Sequence, residues 1–344
     1  DTRNKFRTGI SFQGDVVEEK LVTDGSAANT TYFIQRNEWV PGAYFEYTFE
    51  PNPQFTLVSG IRGDYNSYFS KAYVTPRLNM RYSITENTTI RLGGGRGQRT
   101  PNIMAENLNV LASNRALNFS NVPNILSEIA WNSGASITQN FSIGEKNVTL
   151  NADGFYTWFN TKLVADLDIN PQQAFFLLNQ GSRSFSFISQ LDIELLKFLD
   201  WRLAYKYLDA REQFANSLDQ SLQLPKNRAF TNLSFATESQ WKFDATLNWF
   251  GAMRLPNTSL NPTSYQMPDQ SDDYFTLNLQ VNKVWKNGIE AFIGVENLLN
   301  FRQKNPINSA EAPFSPYFDT NFIYGPVFGR MFYAGLYYRF VTKE

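Results

Sequence analysis

The chain has 344 residues, 42% of them hydrophobic and 16% aromatic, with a mean hydropathy of -0.38 and a formal net charge of -1. It contains neither cysteine nor histidine. That excludes a disulfide framework, thiolate and imidazole metal sites, and the Ser-His and Cys-His forms of nucleophilic catalysis, and the balanced charge leaves no basic footprint for nucleic acid.

At the start, Asp1–Lys5 has no signal-peptide pattern and Phe6 enters what reads as the middle of a strand, so the chain is expected to begin inside a longer protein. Alternating runs then follow over 6–14, 37–50, 54–65, 73–84, 88–98, 124–142 and 147–161. The second half continues with 183–198, 200–209, 227–237, 241–252, 272–285, 288–300 and 328–340. These make about 14 strands. No long stretch has a 3.6-residue period, and none approaches the roughly 18 apolar residues of a membrane-spanning helix. An all-β protein is expected, and in a membrane it has to cross as closed strands.

The faces of these runs are chemically distinct. Over 274–283, Phe275, Leu277, Leu279 and Val281 alternate with Thr276, Asn278, Gln280 and Asn282. Leu78, Met80, Tyr82 and Ile84 likewise alternate with Arg77, Asn79, Arg81 and Ser83, and Ala43, Phe45, Tyr47 and Phe49 with Tyr44, Glu46, Thr48 and Glu50. Arg or Lys on a lipid face near mid-bilayer costs on the order of 2 to 4 kcal/mol, so the charged face is the lumen of a transmembrane antiparallel β-barrel.

Connections alternate in length. Short ones lie at 50–53, 85–87, 144–147, 199–200, 238–240 and 286–288, rich in turn-forming residues. Long ones lie near 15–36, 66–72, 99–123, 162–182, 210–226, 253–271 and 301–327. Outer-membrane barrels have short periplasmic turns and long extracellular loops, which sets the expected orientation. Trp201, Trp241 and Trp285 each sit beside a short turn, where an indole marks the periplasmic membrane interface.

Several stretches resemble a known family. Thr75-Pro76-Arg77-Leu78, the turn at 85–89, and the run from Arg91 through Gly93-Gly94-Gly95-Arg96-Gly97 to Arg99-Thr100-Pro101 and Glu106 are similar to the barrel region of TonB-dependent outer-membrane receptors. So are Gly294-Val295-Glu296-Asn297-Leu298-Leu299-Asn300, Gly329-Arg330 and the aromatic stretch from Met331 to Phe340. The resemblance spans the whole chain and is nearest to versions common in Bacteroidota; Val341–Glu344 beyond Phe340 depart from it and read as a short tail. It implies that residues 1–340 are the last strands of a barrel of about 22 strands around a plug that is not in this chain. It also implies energised import of an iron chelate, cobalamin, metal or glycan, with outer-membrane lipid around the barrel and TonB engaged through an N-terminal region outside this sequence.

On that basis Arg62, Asp64, Arg77, Arg81, Glu290 and Glu296 are expected in the lumen against the plug, and Arg99 and Glu106 as a pair on the extracellular side that orders the following loop or touches plug or ligand. Phe119, Phe175, Phe176, Phe314, Tyr317 and Phe318 are candidates for a substrate vestibule. The glycine run at 93–97 lacks the Lys-Ser/Thr pair and helix of a phosphate loop, and close approach of something inside the barrel explains it better. No cofactor or metal site is expected, although Asp166, Asp168, Asp272 and Asp273 suit hard ions. A passive channel and a surface scaffold with a lipoprotein partner are the alternative functions; an enzyme is not expected.

Overall fold

The computed structural model describes residues 3–23, 30–119 and 127–340. Seventeen strands form one connected sheet system. In the first half these are β1 (Asn4–Thr23), β2 (Thr30–Asn52), β3 (Phe55–Asn66), β4 (Lys71–Ser83), β5 (Thr88–Arg99), β6 (Ala116–Asn118), β7 (Glu128–Ile143) and β8 (Lys146–Asp166). The second half adds β9 (Gln173–Asn179), β10 (Arg183–Leu196), β11 (Leu199–Gln213), β12 (Leu218–Gln220) and β13 (Asn227–Ala236). It ends with β14 (Trp241–Phe250), β15 (Tyr274–Val284), β16 (Ile289–Glu296) and β17 (Met331–Tyr338).

Leaving aside the short β6, β9 and β12, the strands pair antiparallel in chain order from β1 to β17. Each alternating run of the sequence corresponds to one of them, and residues 124–126 of one such run lie outside the described residues. The three short strands belong to loops: β9 pairs antiparallel with the end of β8 and parallel with β6, while β12 folds back on β11.

Pairing sorts the two faces as the alternation requires. Leu277, Leu279 and Val281 stand opposite Leu247, Ala245 and Phe243, and Leu279 and Val281 also oppose Val295 and Ile293. Ile293, Phe332 and Leu336 on this outer face are 61%, 75% and 69% exposed. On the inner face polar side chains bond across strands: Asn232 to Thr246 at 2.8 Å, Thr138 to Asn151 at 2.9 Å, and the Tyr333 hydroxyl to Gln280 at 2.8 Å. These bonds satisfy amides that an apolar face would leave stranded.

Several inner glycines lie beneath aromatic rings from the next strand. A Cβ at Gly294 would collide with the Tyr333 ring, and one at Gly134 with Phe155. The absent side chain lets the neighbouring ring lie flat against backbone.

All seven tryptophans face outward by register. Trp201, Trp241 and Trp285 sit at the short-turn end, where the Lys283 ammonium lies 5.1 Å from the Trp241 ring centre and 6.0 Å from that of Trp285. Trp39, Trp131, Trp158 and Trp249 lie toward the opposite end, with Trp131 and Trp158 directly opposed. The expectation named only the lower group; Trp39, Trp131 and Trp158 lie within strands of 16 to 23 residues where nothing local marks a membrane boundary, and Trp249 lies at the loop end of β14.

The connections are more ordered than expected. Most of 15–36 is paired strand, since the β1–β2 register continues from Asp15↔Glu38 to Thr23↔Thr30. The segment 66–72 is only a tight turn, closed by the Asn66 side chain accepting from the Phe69 amide at 3.1 Å. No helix among the described residues is long and apolar enough to cross a membrane. An arginine at Leu279 is expected to destabilise the inserted barrel by about 2 to 4 kcal/mol, whereas one at Gln280 is tolerated; urea titration of protein refolded into lipid vesicles reads the difference.

Candidate functional site

Charged residues on the inner wall converge near the long-loop end, because period-two pairing brings them to one face of β1–β5. The Arg62 Nε donates to both oxygens of Asp64 at 2.9 and 2.8 Å, and its Nη2 donates to the Ser11 hydroxyl at 3.0 Å. One register step higher, Arg36 and Glu38 are both buried, with Nε and Oε2 3.0 Å apart. Glu38 also accepts from the Thr100 hydroxyl at 2.7 Å and from the Asn66 amide, while Arg36 donates to the Asn102 side chain at 2.9 Å. All of these groups except Ser11 line a cavity of about 630 Å³.

Nearer the short-turn end, Glu46 accepts from Arg77 at 2.5 Å and lies 3.6 Å from Arg7, beside a second cavity of about 440 Å³. Arg81 donates to the Pro53 carbonyl at 3.4 Å. Glu290 and Glu296 share the inner face of β16, and the Asn282 amide lies 3.4 Å from Glu290. The inner face therefore carries both signs of charge, mostly paired.

Arg99 and Glu106 meet in a two-pronged pair at 2.9 and 2.7 Å. Arg99 also bonds Glu128 at 2.5 Å, and Glu106 accepts from the Asn102 amide at 2.9 Å. Glu128 in turn accepts the Leu163 amide at 2.8 Å. This network fastens the start of the β5–β7 loop to β7 and β8.

Above the wall the long loops lock together. Arg115 and Asp319, both nearly fully buried, form an ion pair at 2.7 Å, and Arg115 Nη1 also donates to the Leu167 carbonyl at 2.8 Å. Asp319 accepts from the backbone and side-chain amides of Asn321 at 2.9 and 2.7 Å. Asn109 donates to Asn321 at 2.8 Å, and Gln223 donates to the carbonyls of Asn321 and Ile323 at 2.8 and 2.9 Å. Arg254 pairs with Asp168 and, at 3.2 Å, with Asp219. None of Arg115, Arg254, Asp319 or Asn321 stands out in the sequence, since the partners come from loops far apart along it.

The loop aromatics divide by burial. Phe176 is 1% exposed in a core with Ile103 and Leu163, and Phe119 stacks on it at 4.8 Å. Those two rings hold loops together, and Phe175 sits in β9 opposite Asp166 and Asn118. Tyr317 stacks on Tyr265 at 4.4 Å, Phe318 is half-buried, and Phe314 is 99% exposed.

The four aspartates are occupied by protein or stand apart. Asp166 caps the amides of Asp168 and Ile169 at 2.9 and 3.3 Å and accepts from the Ala215 amide at 2.8 Å. Asp168 also accepts the Asn257 amide at 2.8 Å, and Asp273 lies 3.2 Å from the Trp249 indole nitrogen. No metal-ligating cluster occurs among the described residues. Burial raises the Tyr324 phenol above its ordinary value, beside Asp272, so that group stays neutral in the cap.

An apolar exterior, a polar inner wall and a cap of interlocked loops at one end define a transmembrane β-barrel of the large receptor type. The chain belongs to the TonB dependent receptor-like, beta-barrel family, whose model matches residues 3–298. No curated protein matches the sequence.

Among solved structures, a mutant of the ferric enterobactin receptor PfeA from Pseudomonas aeruginosa is 16% identical with a TM-score of 0.63, covering 88% of this chain and 45% of that one. The copper transporter OprC is 14% identical with a TM-score of 0.68, covering 97% and 54%. The ferric-catecholate import receptor Fiu of E. coli K12 is 13% identical with a TM-score of 0.66, covering 97% and 51%. The chain thus spans about half the length of these structures, and the likeness is one of fold.

Removing Arg115 by Arg115→Ala would strand buried Asp319, at a cost of about 3 to 5 kcal/mol. Limited proteolysis is expected to cut within 105–119 and 310–323 faster in this variant, while the strands stay protected.

Proposed function

We propose that this chain forms the C-terminal part of a plugged outer-membrane transporter that imports a scarce small substrate, a metal chelate first among the candidates, by TonB-driven movement of the plug. The carrying observation is the cap of locked loops above a charged, polar wall, in a chain whose family model covers most of its length. The import receptors and copper transporter of like fold favour a chelate or metal over a glycan.

In this reading Arg62, Asp64, Arg77, Arg81, Glu290 and Glu296 face the plug. Arg99 and Glu106 act one step back, by fixing the loop. Phe314, Tyr317 and Phe318 form the outer rim of the vestibule, with Phe175 lower in the loops and Phe119 and Phe176 serving as its packed base. Trp201, Trp241 and Trp285 mark the periplasmic interface. The residues that contact TonB belong to the part of the protein outside this sequence.

A strain lacking the whole gene is expected to lose growth when a ferric chelate is the only iron source and to regain it on complementation. Disrupting TonB should abolish the rescue. Rescue that survives TonB disruption would replace energised import with passive passage.

A further inference from the structure

Outside the wall, a cationic cluster sits where a bilayer's second interface falls. The register places Trp158 opposite Arg183 and Arg183 opposite Arg211, side by side on the outward face of β8, β10 and β11. Arg183 is exposed, and no hydrogen bond or ion pair engages it among the described residues. Arg211 keeps its Nε 3.2 Å from both oxygens of Asp209, and the Lys226 ammonium lies 3.9 Å from Asp209 and 5.4 Å above the Tyr207 ring. Asp209 thus pairs with two of the cations, Arg211 and Lys226, and leaves Arg183 without a counter-charge.

Depth along the strand points to the occupant. From Trp201 at the short-turn end, β11 runs to Arg211 through outward Leu203, Tyr205 and Tyr207. That is about ten residues, the ~9–11 that a tilted spanning strand needs. Arginines at this level meet headgroups, with apolar side chains beneath them to receive acyl chains. Guanidinium groups bind phosphate oxygens through paired N–H donors.

We propose that Arg183, Arg211 and Lys226 form a binding site for the phosphate of an anionic lipid in the extracellular leaflet, seated above Phe185 and Tyr207. The inference rests on the membrane reading given under Proposed function. Excess positive charge and an unpartnered guanidinium distinguish this patch from the lower interface, where Lys283 is engaged with Trp241 and Trp285 and with the Ser239 carbonyl.

The test uses the whole protein purified from outer membranes in detergent, titrated with a bis-phosphorylated glycolipid and with the same lipid after phosphatase treatment, and read by native mass spectrometry. The phosphorylated lipid is expected to be retained, and the double variant Arg183→Ala/Arg211→Ala to hold it roughly thirtyfold more weakly. Equal retention of the two lipids, or unchanged binding by the variant, would overturn the site. Displacement by inorganic phosphate at equal concentration would also overturn it, by assigning the cluster to a soluble anion. Heat-modifiable migration on a gel is measured in parallel, so a barrel with folded mobility that ignores the phosphate refutes this inference alone, whereas recovery of the protein outside the outer-membrane fraction refutes the membrane reading.

Discussion

The architecture depends on one constraint: a chain crossing hydrocarbon has to pair every backbone amide and carbonyl internally. Strands meet it only by bonding to neighbours on both sides, and period-two geometry then assigns each side chain to lipid or to water. Once β15 lies between β14 and β16 with Leu279 facing out, the inward position of Gln280 is fixed. A slip of one residue would exchange the two environments along the entire strand.

The cap obeys a different logic. Its loops have no regular ladder, so they are held by side-chain pairs between segments distant in sequence, chiefly Arg115 with Asp319 and Arg254 with Asp168 and Asp219. A buried ion pair contributes little net stability compared with a well-packed apolar replacement, but it tolerates few alternative partners. The cap therefore has a defined geometry above the inner wall, even though most of its residues lie outside regular strands.

Much of the wall was legible in the sequence because one period carries both secondary structure and environment. The alternation at 77–84 locates β4 and sets Arg77 and Arg81 on one face, and the register with β3 and β5 makes that the inner one. Strand ends were less legible. Nothing in Glu18, Lys20 or Gln35 signals that pairing persists there, since the β1–β2 arm rises beyond the segment where lipid enforces a hydrophobic face. The cap was not legible at all: Arg115 and Asp319 find each other only through the fold, and the burial of Phe176 reflects packing by three loops rather than any feature of its neighbours in sequence.

The rings laid over glycine on the inner face have a consequence for the bore. Where Tyr333 lies across Gly294 and Phe155 across Gly134, a large side chain adds the thickness of an aromatic plane instead of its full length. At those positions the lining is flatter than the same residues would make it if they stood upright, so a body occupying that space meets a shallow relief there, and the exposed arginines such as Arg77 are what project toward it.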